Sequence, residues 1–505
     1  MLRAAFGALV GFGCGLAAPA PSHPPLARAA APAASPGMAA SDEPPIFVVV
    51  GGGFTGSKLA QSLDALCRVV LIDEKNYLES IEYAVPVLCK PWDDDSTKAL
   101  ADAQVVHRNY LQHGHVVVGS VVDVDLEGKK VLLRDGRRIA YDAMAFCLGE
   151  RRAFPLQTRH ATTLSQRETE LKEFSRFVER DCHRIAVVGG GPMGVCIASL
   201  LGSNYPFKTI DLFHRGEELL TTLPEPAGSL AHNKLLQLRN VEVHTLSHVT
   251  DVKRNDKRGW FGRKLKPSFD VFYEIHEPVR VEPPSVLHQL YFGEAESQNK
   301  AKKASEAPRT VKETSERLGY DFVFVCSGNV PAAREFAGAP SLAPHLDKDG
   351  RFRVSRFMQL LGRPEVFAVG RCNGFPGYVR GLRTSDYQTN LFMRNFRNFM
   401  TAAFDRHGVA NFPSSFTINP LRGDVVGPHV KFPMGGGVGL AVDSITGPSC
   451  GPEAMASWDY ELKERFMRHA HTPKLQVPAD GKKMNTAMRA WLSMAVTDVA
   501  DFVWA

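Results

Sequence analysis

The 505-residue sequence has nine cysteines, at positions 14, 67, 89, 147, 182, 196, 326, 372 and 450, but no CxxC pair and no cluster at metal-ligand spacing. Neither a disulfide framework nor a structural zinc site is therefore expected. Charge of one sign is equally scarce, with 60 Lys+Arg against 54 Asp+Glu and a formal +6. That balance is too small for a chain-wide field that captures nucleic acid by neutralising phosphate. The apolar stretch Ala4 to Ala18 is short and glycine-rich for a membrane span. What remains, at 44% hydrophobic, 23% charged and 9% aromatic, has the composition of a soluble globular body. A prior of about 150 residues per domain divides it into roughly three.

Acids are also missing from the N-terminus. Arg3 and Arg28 appear before the first acid, Asp42, in an Ala/Gly/Leu stretch that runs into an Ala/Pro-rich tract. Such a segment cannot pack a core. An acid-poor, Arg-containing start suits a mitochondrial presequence; a plastid presequence, a secretory or bipartite leader and a plain disordered tail are the alternatives.

The main signal begins at Ile46. The run Ile46 to Val50 enters Gly51-Gly52-Gly53-Phe54-Thr55-Gly56, then a helical pattern with Ala60, then a strand from Arg68 to Ile72 that delivers Asp73, with Lys75 two residues on. Gly51 permits a tight turn, Gly53 lets backbone approach a pyrophosphate and Gly56 allows close helix-to-strand packing. An acid about 20 residues beyond the glycines is placed to hydrogen-bond ribose hydroxyls. The pattern recurs at Arg184 to Val188, with Gly189-Gly190-Gly191-Pro192-Met193-Gly194 as the turn and Ala198 falling where Ala60 fell. The chain thus holds two dinucleotide sites. The second helix is followed by a strand, Thr209 to Phe213, that ends in His214-Arg215 rather than an acid. Two cations without a carboxylate favour a 2′-phosphate, hence NADPH over NADH; ordinary loop residues are the alternative.

Each half closes with an apolar strand opened by Tyr-Asp: Tyr141-Asp142 leading to Gly149, and Tyr320-Asp321 leading to Gly328. The second half is longer, and the polar stretch 294–317 accounts for the surplus as a solvated insertion.

Two glycine fingerprints, each closed by a YD…G strand and followed by Glu365 to Gly370 and a helix, resemble the pyridine-nucleotide-disulfide-reductase superfamily over about residues 46 to 450. No CxxxxC redox pair follows the first helix, which points away from the disulfide reductases themselves. The pattern is most similar to the ferroptosis-suppressor, apoptosis-inducing-factor-like branch of NAD(P)H:quinone reductases, with type II NADH dehydrogenases as neighbours; His214 at a strand end resembles that branch. The resemblance implies an α/β fold with two Rossmann-like dinucleotide-binding domains and a C-terminal α+β interface domain. It implies FAD in the first site and NAD(P)H in the second, with a hydride passing from nicotinamide to flavin and electrons to a quinone. The implied division is a leader at 1–45, an FAD domain split into 46–154 and 336–411, an NAD(P)H domain at 155–335 with its insertion at 294–317, and an interface part at 412–505. The redox chemistry would belong to the cofactors, so no catalytic side chain is assigned. Ser385 and Gln388 form a capping-box pattern for a helix beginning near Thr384; in the family that helix points its positive end at the flavin.

Three residues depart from the family. Arg371 stands after Gly370 where an aspartate is expected to hold the flavin ribityl chain, and it donates but cannot accept; it could instead pair with the pyrophosphate. Cys196 replaces a glutamate, and Glu150 stands where a serine is usual. A degenerate, non-catalytic nucleotide-binding paralogue is the alternative they raise.

Seven basic residues and one acid lie between Lys253 and Lys266, around Trp260-Phe261. They suit either peripheral contact with an anionic membrane or a solvated basic hairpin; nucleic acid is disfavoured because no repeated aromatic platform is present. Beyond Phe412, Phe416 to Ile418 and Val438 to Val442 are compatible strands. A final apolar face from Met484 to Val503 would lie on a membrane, on the chain's own body or on a homodimer partner.

Overall fold

The computed structural model describes residues 44–223, 226–256, 266–277, 311–327, 330–375, 382–404, 430–436, 438–443 and 447–452. Residues 1–43 of the leader, Gly328, Phe416 to Ile418 and the stretch from Met484 lie outside the described residues.

Strand β1 (Ile46–Val50) passes through the glycines into helix α1 (Phe54–Leu63), and strand β2 (Arg68–Asp73) returns parallel to β1 with Val50 opposite Ile72. Strand β3 (Ala143–Phe146) pairs parallel on the other side of β1. These strands are apolar without alternation because both faces are covered, the usual condition of a parallel sheet. Arg363–Ala368 adds beside β3 and His115–Val118 beside β2, within a six-stranded sheet. Residues more than two hundred positions apart in sequence therefore share one sheet.

The second turn repeats the arrangement. Strand β4 (Arg184–Val188), helix α2 (Pro192–Asn204) and strand β5 (Thr209–Phe213) form a parallel unit with Val188 opposite Phe213. Strands β6 (Ser247–Asn255), β7 (Ser268–His276) and β8 (Val311–Tyr320) then form a separate antiparallel sheet. Strand β9 (Phe322–Val325) returns beside β4 to close the four-stranded sheet. Residues 311–317, expected in a solvated insertion, belong instead to β8. Polar residues suit that strand because it is an edge, paired only with β7 and exposed at most positions.

The recurring Tyr-Asp has a structural cause. Asp142 Oδ2 accepts from the Ile46 N–H at 2.7 Å, and Asp321 Oδ2 accepts from the His183 and Arg184 N–H groups at 2.7 and 2.9 Å. Each aspartate thereby pins the start of its half's first strand to the start of its last.

Helix α3 (Leu382–Phe404) packs Phe392 and Phe396 edge-on against Phe47. It begins before Thr384, so Ser385 lies inside its first turn. Gln388 does not serve a capping box: its Oε1 accepts from the Gly370 N–H at 2.7 Å, coupling the helix to the loop after Ala368. Lys58 on α1 ties to Asp386 and to Asn390 Oδ1 on α3. The expected strand at Val438 to Val442 forms, as Val438–Asp443 in a three-stranded antiparallel unit with Val430–Pro433 and Gly447–Pro452. This unit docks on α2, where Ser199 Oγ donates to the Met434 carbonyl. Among the described residues, no helix is long and apolar enough to cross a membrane.

Two candidate dinucleotide sites and the charge cluster between them

At the first turn Gly51 has φ +101°, and a Cβ on Gly56 would lie 1.8 Å from the Gly51 carbonyl oxygen. Any larger residue at 56 would push α1 off β1. Gly53 is the N-cap of α1; no side chain caps it and nothing lies within 4 Å of where its Cβ would be. Elsewhere the chain does cap: Asp93 and Thr163 each complete a capping box at their helices. An uncapped N-terminus facing open space, with Phe54 and Thr55 in its first turn, leaves backbone N–H groups for an anion. Thr55 also packs under Gly370 (φ +84°), where a Cβ would come within 2.8 Å of Thr55 Oγ1.

Asp73 closes the floor of this turn. Its Oδ2 accepts from the Gly52 N–H and its Oδ1 from the Lys75 N–H at 3.0 Å. Burial pushes the carboxyl up, but Lys75 and His107 outweigh it and hold the group down at about 2. Lys75 itself donates Nζ to the Tyr77 carbonyl at 3.0 Å. His107, which no sequence pattern marks, is fully buried with Nε2 3.6 Å from Asp73 Oδ2. Its Nδ1 meets Tyr110 Oη at 2.6 Å; Tyr110 donates to Ser57 Oγ at 2.7 Å, and Ser57 donates to the Gly52 carbonyl at 2.9 Å. Because the tyrosine hydroxyl proton goes to Ser57, its oxygen is left to accept from His107 Nδ1–H. A buried relay thus grips the middle glycine from below, and burial pushes the His107 imidazole below its ordinary value against the opposing pull of Asp73.

The second turn has the same backbone. Gly189 has φ +112°, a Cβ on Gly194 would lie 1.8 Å from the Gly189 oxygen, and Gly191 is an uncapped N-cap opening on free space. Pro192 occupies the first helical position, where its missing N–H costs nothing, and Met193 packs half-buried against the core. The Gly190 N–H donates to His214 Nδ1 at 3.2 Å. His214 therefore stands where Asp73 stands, one residue past the last pairing with the first strand of its half, accepting from the middle glycine. The expectation of two adjacent cations facing one phosphate is corrected here. His214 is buried beneath the loop as an acceptor, and Arg215 alone is exposed.

Between the two turns, two of the departures from the family meet. Arg371 Nη1 donates to Glu150 Oε2 at 2.9 Å, and Arg351 Nη2 lies 3.5 Å from Glu150 Oε1. Glu150 follows Gly149, whose φ of +67° turns the chain out of β3's line. Burial, aided by the neighbouring charge of Arg371, pushes the Arg152 guanidinium down to about 10. The partner found for Arg371 is thus a carboxylate of the chain itself. The third departure, Cys196, is a buried thiol packed in the core around α2. All the described cysteines are free. Burial pushes Cys326 up to about 12, Cys372 up to about 11, and Cys89 and Cys147 well above the ordinary range. Buried, protonated thiols are inert towards disulfide exchange.

In the basic segment the described cations are engaged locally. Lys266 pairs with Asp181, Arg254 with Asp256 at 2.9 Å, and Lys253 sits 4.5 Å over the Phe272 ring. Trp260 and Phe261 lie outside the described residues.

Two parallel βαβ units with matching glycine turns define the fold of the oxidoreductases built around a pair of dinucleotides. Residues 46–269 match the family described as pyridine nucleotide-disulphide oxidoreductase. The chain is similar to ferroptosis suppressor protein 1 of Taeniopygia guttata, 22% identical over 354 residues covering 68% of this chain and 79% of the relative. It shares the fold of NDH2 from Plasmodium falciparum solved in complex with NADH, with a TM-score of 0.54 at 14% identity over 90% of this chain and 98% of that one. The sulfide:quinone oxidoreductase of Aquifex aeolicus also shares it, with a TM-score of 0.54 at 12% identity over 86% and 93%.

Proposed function

We propose that this oxidoreductase seats FAD at the first turn and NAD(P)H at the second, and that it delivers electrons to a quinone-like acceptor. FAD and NAD(P)H would supply the redox chemistry, a hydride passing from the nicotinamide to the flavin; the chain supplies binding, orientation and electrostatics. The observation that carries the reading is the doubled, uncapped N-cap at Gly53 and Gly191, each with open space in front of it. Each helix N-terminus would take a pyrophosphate, and Asp73, ionised at neutral pH, would accept from ribose hydroxyls. Arg215, exposed past the second strand, would favour the extra phosphate of NADPH. Glu150, beside Gly149 and held by Arg371, restores a carboxylate near the place where the family carries one after Gly370. The quinone-like acceptor is supported by the likeness in fold to the sulfide:quinone oxidoreductase of Aquifex aeolicus, the mitochondrial address by the Arg3/Arg28 leader, and the four-part domain division by the two sheets and the docked C-terminal unit.

The test is an anaerobic half-reaction. Purified protein supplied with FAD is expected to be yellow and to bleach on adding NADPH, and less readily on adding NADH. A protein that stays colourless after FAD is supplied refutes the reading and favours a structural nucleotide-binding role.

A further inference from the structure

Two clusters of metal-ligating side chains occur among the described residues outside the nucleotide turns: Asp211, Glu242 and His244, and His248, Glu274 and His276. The first is already neutralised. Arg317 pairs with Asp211 and Glu242 at 3.1 and 3.0 Å, and Tyr320 Oη donates to Asp211 Oδ2 at 2.7 Å. It is an ion-pair network with its lone pairs in use.

The second cluster is built differently. His248 on β6 lies directly opposite Glu274 on β7, and His276 follows Glu274 by two residues. Cross-strand partners hold their Cβ atoms about 5 Å apart, and residues i and i+2 share a face. Strand pairing therefore gathers on one face three groups that are scattered in sequence. The opposite face carries Val249 and Tyr273, which pack in the core of this sheet. The groups converge: His248 Nδ1 is 3.9 Å and His276 Nε2 3.5 Å from Glu274 Oε2, and the three ligand atoms all lie within 4.8 Å of one another. Both ring nitrogens of His276 are buried and have no hydrogen-bond partner. Among the described residues, the ion-pair neighbours of Glu274 are these two imidazoles, with no lysine or arginine.

Buried imidazole nitrogens with no hydrogen-bond partner are costly, and a carboxylate between two imidazoles is a ligand set without an ion. We propose that His248, Glu274 and His276 bind a divalent transition-metal ion of the zinc type, as an open three-ligand site. Two imidazoles and one carboxylate are the donors zinc takes when it keeps a fourth position for water. Bonds of about 2.0–2.2 Å to the three groups require them to close by well under 1 Å along the two measured edges. The ion would clip β6 to β7 where β6 leaves the loop carrying Arg215; Ser247 N–H donates to the His214 carbonyl and Leu246 N–H to the Gly216 carbonyl, each at 2.8 Å. It would therefore brace the base of that loop.

The test uses the untagged full chain, titrated with zinc against a chromophoric chelator and with cobalt as a spectroscopic substitute. The wild type is expected to take up one equivalent more than His276→Ala or Glu274→Gln, and to show the intense visible bands of a four-coordinate cobalt site that both variants lack. Removing even an outer-shell partner of a metal costs about 10–100-fold in affinity, so loss of a ligand raises the Kd by more than about 100-fold. Zinc should raise the unfolding temperature of the wild type only. Should His276→Ala fail to fold, His248→Asn, at a more exposed position, replaces it. Equal stoichiometry and affinity in wild type and variants, or a cobalt spectrum that the substitutions leave unchanged, overturns the proposal.

Discussion

The pairing of Glu150 with Arg371 makes a quantitative claim about two residues that lie far apart in the chain. Glu150 is only 9% exposed and lies against the guanidinium groups of Arg371 and Arg351, at 2.9 and 3.5 Å; Arg371 is 25% exposed and, among the described residues, pairs with this carboxylate. Removing one partner of a buried pair costs about 3–5 kcal/mol because the other charge is stranded. Partial exposure of Arg371 lowers that for Glu150→Ala to about 2–3 kcal/mol. Arg371→Ala leaves Glu150 with Arg351, so about 1 kcal/mol is expected. The double variant should fall short of the sum by about 1 kcal/mol, read by urea unfolding of the four proteins. The same cycle is followed by FAD titration. Arg371→Asp alone places a carboxylate against Glu150 and should lose flavin, while Glu150→Ser with Arg371→Asp should recover at least tenfold of that loss. Stability effects that add to within about 0.5 kcal/mol, or a single Arg371→Asp that gains flavin, would refute the coupling.

Other outcomes follow from the two turns. Gly56→Ala should abolish flavin retention, whereas Gly194→Ala should keep flavin and weaken NAD(P)H more than tenfold; identical phenotypes would show that the turns are not separate seats. Arg215→Ala is expected to weaken NADPH more than NADH, while His214→Ala, which removes the acceptor for Gly190, should weaken both alike in coenzyme titrations. Asp73 is depressed from its ordinary 3.8 to about 2. Its stabilisation is therefore fully present above about pH 4 and is lost as pH falls through 2, amounting to ~2 kcal/mol. Asp73→Asn should flatten the fall in stability below pH 4, and an unchanged pH profile would contradict the assignment.

Both glycine turns, their strands and Asp73 were legible in the sequence because each needs a particular residue at a short, fixed spacing. Gly56 and Gly194 are legible for the same reason, since a Cβ there collides with backbone. The repeat of Tyr-Asp was visible, but its cause was not, because the aspartate's partners lie at the far end of each half. His107 carried no signal: it follows the short strand Gln104–Val106 and acts through burial, which a single histidine does not announce. The meeting of Glu150 with Arg371 was hidden by the chain between them, so each read as an isolated departure. His214 reads from the sequence as either a cation or an ordinary loop residue, because its backbone partner, Gly190, lies on another turn and leaves no mark beside it. The edge strand β8 read as insertion because a solvated edge has the composition of a loop.

The two turns share one backbone contact made by different atoms, a carboxylate oxygen under Gly52 and an imidazole nitrogen under Gly190. On the proposed function, that substitution would sort the guests. Two nucleotides that share an adenosine diphosphate half would otherwise compete for either seat. On the proposed reading, a fixed negative charge beneath the first entrance would repel an additional phosphate, while the second entrance, with an imidazole in that place and Arg215 at its rim, would admit it. If the seats are as proposed, the molecule would thereby guard against inhibition by its own reductant. It would do so by changing one side chain per repeat and leaving the architecture of both copies untouched.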